Sequence, residues 1–322
     1  MSPHPDLDEL VRAARELDKH AVARLISVFE DRRSDAPARR AHVLAALDEA
    51  PVRPPGAVLG ITGTPGSGKS SLVARLTVDL LAQDPELTIA VLAVDPSSSV
   101  SGGSLLGDRT RMRFTPGEQR LHFRSQASES DLGGLGPASF QVCRLLTRLF
   151  GCVMIETVGI GQSEADIRHL ADRVYLVLQP LGGDEVQFLK AGIIEVPDVF
   201  VLNKCDEPTS ESSYHQLRSS MWLARPFDEE TPPIFRTSAR TGDGLAELEA
   251  DMVARLLGGA GGLAAREPYF LRRWVDDEWG RAGLRVLDEL GGAEQYLASV
   301  GGYEAAQGAF GPQFVERLRC ES

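Results

Sequence analysis

Residues 63–70 read Gly63-Thr64-Pro65-Gly66-Ser67-Gly68-Lys69-Ser70, matching G-x-x-x-x-G-K-[S/T]. No other feature constrains the fold as much, because the pattern works in one structural setting: after a buried strand and at the opening of a helix. Its glycines let successive backbone N–H groups converge on phosphate oxygens. Lys69 supplies a cation to the β- and γ-phosphates, and the Ser70 hydroxyl ligates Mg²⁺. Ser71 follows in the first helical turn, whose positive end faces the same anion. The flanks supply that setting. AVLGIT (57–62) is a short apolar run, and 69–83 is helical in pattern. Nothing resembling a second lysine stands near the start of the loop.

The same α/β rhythm continues. TIAVLAV (88–94), CVMIET (152–157), RVYLVLQ (173–179), DVFVLN (198–203) and PIFRTS (233–238) are apolar runs without polar alternation, separated by helical stretches. That pattern predicts a parallel sheet covered on both faces. Carboxylates end two of these runs, Asp95 and Glu156, at the edge where open α/β sheets bind ligands. With Ser70 they form a candidate Mg²⁺ set. Gly159, three residues after Glu156, is placed to sense a γ-phosphate, and Gly161 and Gln162 suit a moving switch. The stretch 95–115, rich in Ser, Gly and Arg, is too long for an ordinary connection and reads as a functional loop.

Asn203-Lys204-Cys205-Asp206 follows the fifth of the apolar runs that begin at 57. An ionised aspartate there accepts from both guanine N1–H and N2–H₂, a donor pair adenine lacks. Asn203 and Lys204 brace the nucleotide and its loop. Ser238-Ala239-Arg240 ends the next run, where a backbone N–H is expected to meet guanine O6. The order of the four motifs favours GTP over ATP.

The remainder of the chain is helical in pattern. Residues 6–50 carry apolar positions at helical spacing until Pro51, Pro54 and Pro55 end them. GGAGG (258–262) reads as a hinge, and a long amphipathic helix follows over about 268–290. The resulting expectation is an α/β P-loop NTPase domain at 55–257, with helical extensions at 1–54 and 258–322. The net charge of −12 argues against coating a nucleic acid or an anionic membrane surface. No apolar run reaches the length of a membrane span, and MSPHPDLDEL lacks a secretory h-region. The four cysteines form no C-x-x-C pair, which fits a reducing cytoplasm.

DPSSSVSGGSLLGDRTRM (95–112), ETVGIGQSEADI (156–167), GGDEVQFLKAGIIE (182–195) and NKCD (203–206) resemble the MeaB/ArgK accessory GTPases. ETVGIGQSE carries the resemblance furthest, since most GTPases have D-x-x-G there. The resemblance implies a Mg²⁺-dependent GTP hydrolase that chaperones an adenosylcobalamin-dependent acyl-CoA mutase, chiefly methylmalonyl-CoA mutase. Its partners would be that mutase and the mutase's adenosyltransferase. It places Asp95 and Asp108 in switch I, and Glu156 and Gly159 in switch II. Lys69, Asp108, Glu156 and Gly159 form the catalytic set. Asp184, Glu185 and Lys190 form a third switch that signals nucleotide state to the mutase. The chain departs from the family in the acidic segment 125–131 and in Ala191, where some members have a second lysine. Two other readings compete, a nickel metallochaperone GTPase and a P-loop kinase. The scattered Cys and His residues count against the first. A homodimer through the apolar face of 268–290, around Trp274 and Val275, is expected, the alternative being packing against the chain's own GTPase domain.

Overall fold

The computed structural model describes residues 5–95, 117–127, 135–157, 163–180, 197–224, 231–259 and 261–320. Three helices open the chain, α1 (Pro5–Arg15), α2 (Lys19–Phe29) and α3 (Ala36–Glu49). The α/β alternation then runs β1 (Ala57–Gly63), α4 (Lys69–Gln83), β2 (Ile89–Asp95), β3 (Leu121–Ala127), α5 (Pro137–Leu149), β4 (Cys152–Thr157), α6 (Ser163–Leu170), β5 (Arg173–Leu178), β6 (Val199–Leu202), α7 (Ser210–Ala224), β7 (Ile234–Arg236) and α8 (Leu245–Leu257). Helices α9 (Glu267–Glu289), α10 (Gly292–Val300) and α11 (Tyr303–Cys320) complete it. These elements divide into two compact units. One comprises residues 1–54, 136–149 and 262–322; the other comprises 55–135 and 150–261.

The sheet unit holds seven strands in the order β3-β2-β4-β1-β5-β6-β7, with every described pairing parallel. All residues of β1 and β4 are buried, which explains their lack of polar alternation. Leu72, Val73, Leu76 and Leu80 of α4, with Leu245, Leu248 and Met252 of α8, pack on Leu59, Ile61, Met154, Tyr175 and Val201. The opposite face of β5 and β6 packs Leu176, Leu178, Phe200 and Leu202 against Leu217 and Met221 of α7. Strand β3 is absent from the apolar runs of the sequence. It is an edge strand, and its LHFRSQA pattern mixes polar residues into a half-buried ladder. Ser125–Ala127, the start of the divergent acidic segment, lie in β3; residues 128–131 lie outside the described residues.

In the helical unit, both ends of the chain share one core with α5. Phe140 of α5 stacks on Phe270 of α9 at 4.3 Å between ring centroids and 8° between planes. Tyr303 of α11 meets Phe140 edge-on at 5.2 Å. A buried polar network ties the same segments. Arg144 pairs with Glu267 at 3.0 Å and with Glu304. Arg40 of α3 donates to Gln307 Oε1 at 2.7 Å, and Gln141 Nε2 donates to the same oxygen at 2.9 Å. Burying these charges is tolerable only because each has a partner.

Helix α9 holds the apolar face expected to form a dimer. Val275 is fully buried, and Trp274 and Trp279 meet at 4.8 Å, with Phe310 of α11 5.0 Å from Trp279. Helices of the same unit thus pack on part of this face, while Trp274 and Trp279 remain half-buried. The helix is also broken at Gly280, whose φ of 57° and ψ of −150° lie outside helical space. Replacing Phe270 with alanine should cost about 3–5 kcal/mol, because a fully packed aromatic leaves a cavity. Denaturant unfolding of the full chain checks this; a loss below about 1 kcal/mol would mean the Phe140–Phe270 stack contributes little.

Candidate nucleotide site

The loop at 63–70 leaves the carboxyl end of β1, the central strand, and feeds directly into α4. All three of its glycines have positive φ, and at two of them a Cβ would also clash. Gly63 has φ +146°, and a Cβ there would sit 1.9 Å from Val177 O of the neighbouring strand. Gly68 caps α4 in the left-handed region at φ +85°, and a Cβ would come within 2.7 Å of Asn203 Nδ2. The ammonium of Lys69 is buried and folds back over the loop, donating to Gly63 O at 2.9 Å and Thr64 O at 3.1 Å. Pro65 and Gly66 are exposed on the outer rim, as is Ser71 one turn below.

The neighbouring strand ends converge on this loop. β4 lies beside β1 with Glu156 level with Ile61. Glu156 is buried, and its Oε1 accepts from the Ser70 hydroxyl at 2.6 Å. Beneath them, Thr157 Oγ1 donates to Thr62 Oγ1 at 2.8 Å and locks the two strand ends together. Asp95 ends β2, the next strand out. Asp108, Gly159, Asp184, Glu185 and Lys190 lie outside the described residues.

On the other side, the turn after β6 clasps the loop. Asn203 is buried, and its Nδ2 donates to Ser67 O at 2.8 Å while its Oδ1 accepts from Ala239 N at 3.1 Å. Of the backbone N–H groups of 238–240, one of which was expected to meet guanine O6, that of Ala239 is thus engaged by Asn203 in this structure. Asp206 is held from two sides. Its Oδ1 accepts from Ser238 Oγ at 2.6 Å, and its Oδ2 pairs with the exposed Arg240. The Ser238 hydrogen bond, helped by the Arg240 charge, lowers the Asp206 carboxyl below its ordinary range. An ionised carboxylate with two oxygens is the acceptor pair that guanine's two donors require. The Lys204 ammonium donates to Gln179 Oε1 at 2.7 Å. Gln179 had no place in the sequence reading. Its one visible signal was a polar residue ending an otherwise apolar strand run.

Cys143 and Cys152 are buried. Burial pushes the Cys143 and Cys152 thiols up to about 12, so both stay protonated and inert. Among the described residues no group of three or more His, Cys, Asp or Glu could hold a metal ion, and no helix is long and apolar enough to cross a membrane.

A phosphate loop clasped by an Asn-Lys-x-Asp turn, on a parallel sheet with its ligand edge at the same rim, is the arrangement of the P-loop GTPases. Residues 22–275 match the family described as methylmalonyl Co-A mutase-associated GTPase MeaB, and the chain belongs to that family. It is 33% identical to the GTPase ArgK of Escherichia coli over 247 residues, spanning 75% of this chain and 73% of ArgK. It is equally 33% identical, over 292 residues, to the mouse protein named methylmalonic aciduria type A homolog, mitochondrial, spanning 87% of this chain and 69% of that one. The crystal structure of an LAO/AO transport system kinase shares the fold, with a TM-score of 0.63 at 22% identity over 99% of both chains. The protein is accordingly an enzyme that hydrolyses GTP to GDP and phosphate.

Proposed function

We propose that this GTPase is the accessory chaperone of an adenosylcobalamin-dependent acyl-CoA mutase, methylmalonyl-CoA mutase before others, gating cofactor loading and protecting the loaded enzyme. The observation that carries the reading is membership in a family whose description names that mutase. In this reading GTP lies with its phosphates over residues 63–70 and its base at Asp206. Lys69 turns from the loop carbonyls toward the β- and γ-phosphates. Ser70 and Glu156 suit Mg²⁺, since a hydroxyl and a buried carboxylate already in contact are hard oxygen donors of the kind that ion takes. When bound, the ion neutralises charge between the phosphates, which leaves the protein to position and screen rather than to form bonds. Asp95 completes the metal set at the end of β2.

Nucleotide state reaches the mutase through Asp184, Glu185 and Lys190, downstream of β5 and outside the loop and turn that hold GTP. Coupling of this kind requires contacts that differ between the GTP and GDP states. Phosphate release measured with and without purified methylmalonyl-CoA mutase tests the whole reading: stimulation is expected, and identical rates would remove the mutase as client. Lys190→Ala should keep basal hydrolysis near wild type while reducing the stimulated rate. An equal fall in both rates would move Lys190 into the hydrolytic machinery instead.

A further inference from the structure

Lys204 is one of only two non-glycine residues among those described with positive φ, at +61°. A lysine in the left-handed region is strained by about 1 kcal/mol or more and persists only where its surroundings hold it. Two contacts do so. Its aliphatic stem crosses the loop at Gly68, where a Cβ would lie 3.9 Å from Lys204 Cε. Its ammonium ends on Gln179 Oε1 at 2.7 Å. Gln179 in turn covers the rim of the loop, where a Cβ on Gly66 would lie 3.8 Å from its Nε2.

Sheet topology brings these groups together. β5 runs between β1 and β6, with Val177 level with Gly63 and Leu178 level with Leu202. Gln179 therefore emerges between the phosphate loop and the Asn203–Asp206 turn. The Lys204–Gln179 pair spans the loop from Gly68 to Gly66. Its backbone neighbours are Asn203, anchored on Ser67 O, and the turn leading to Asp206. A free lysine side chain would surrender considerable rotamer entropy on meeting a nucleotide; one already tied to Gln179 surrenders less.

We infer that Gln179 is a positioning residue for the guanine nucleotide: it orders Lys204 across the phosphate loop and so sets affinity for GTP and GDP alike, without acting in the hydrolytic step. The inference rests on the proposed placement of guanine at Asp206.

The test is binding of GDP and of a non-hydrolysable GTP analogue to the full chain by calorimetry, with kcat and KM for GTP measured alongside. The variants are Gln179→Ala, Gln179→Glu, Lys204→Met and the Gln179→Ala/Lys204→Met double variant. Gln179→Ala should weaken both nucleotides by about tenfold, the size expected for a hydrogen bond to a charged group. The loss should appear in KM and leave kcat close to wild type. Gln179→Glu keeps an oxygen acceptor for the ammonium and should restore binding, which separates positioning from a general loss of packing. In the Lys204→Met background, Gln179→Ala should add almost nothing, because the two residues act through one contact. Unchanged affinity in Gln179→Ala, additive losses in the double variant, or a defect confined to kcat would each overturn the inference. Asp206→Asn distinguishes the two layers. If it leaves base selectivity intact, the guanine placement fails. If it alters selectivity while Gln179→Ala binds normally, only the role of Gln179 falls.

Discussion

Lys69→Ala should lose tight GTP binding and reduce hydrolysis by at least about a hundredfold, the scale seen when one preorganised donor to developing charge is removed. The Lys69 ammonium is buried and has two carbonyl acceptors of its own loop, so it is held at the phosphate edge before any nucleotide arrives. No other cationic side chain belongs to residues 63–71. The fold should survive, because α4 is fixed by Leu72, Val73, Leu76 and Leu80 in the sheet core rather than by Lys69. Lys69→Met, which keeps the stem and removes the charge, should behave like the alanine variant. Circular dichroism, nucleotide titration and phosphate release check the prediction together. Wild-type affinity and turnover in a folded variant would show that residues 63–70 are not the phosphate site.

Asp206→Asn should lower the preference for GTP over xanthosine triphosphate by about tenfold to a hundredfold, since one acceptor facing a donor pair becomes a donor. Xanthine carries an oxygen where guanine has its amino group, so the same change that repels guanine accommodates xanthine. Ser238 and Arg240 hold the carboxylate in place, and the asparagine would keep the Ser238 contact through its carbonyl oxygen. Competition binding of the two nucleotides reads the effect directly; an unchanged ratio would dismiss Asp206 as the base reader. The lowered Asp206 carboxyl gives the wild type a pH signature with a definite sign. The group is charged above its depressed value, so affinity that depends on it should be level across neutral pH and fall only as acid protonates it.

The central strands and the nucleotide loop were legible because their determinants are local. A run such as AVLGIT is apolar on both faces only if both faces are covered, and G-x-x-x-x-G-K-S serves only a backbone that turns as Gly63 and Gly68 do. The Asn-Lys-Cys-Asp turn was legible for the same reason, since its residue types name their own hydrogen-bond partners. Strand β3 was not, because two of its three buried positions are the polar His122 and Gln126, which leave no apolar run in the sequence. Gln179 was not, because a lone glutamine acquires meaning only when β5 is seated between β1 and β6.

The helical segments show the same division from the other side. Apolar spacing in 6–50 and 268–290 announces helices, since that periodicity is a property of neighbours three and four apart. Which surface each helix would meet is not written in that spacing, because an apolar stripe fits a second copy, the sheet unit or another helix equally well. Tertiary packing supplies partners within the helical unit by bringing Phe140, Phe270 and Tyr303, and with them Arg40, Arg144, Glu304 and Gln307, into one core from three remote stretches of chain. Turns, strand runs and loop chemistry follow from residues a few positions apart and could be read along the chain. The partners of buried charges and of apolar faces depend on contacts across more than a hundred residues, and only the folded chain brings those residues together.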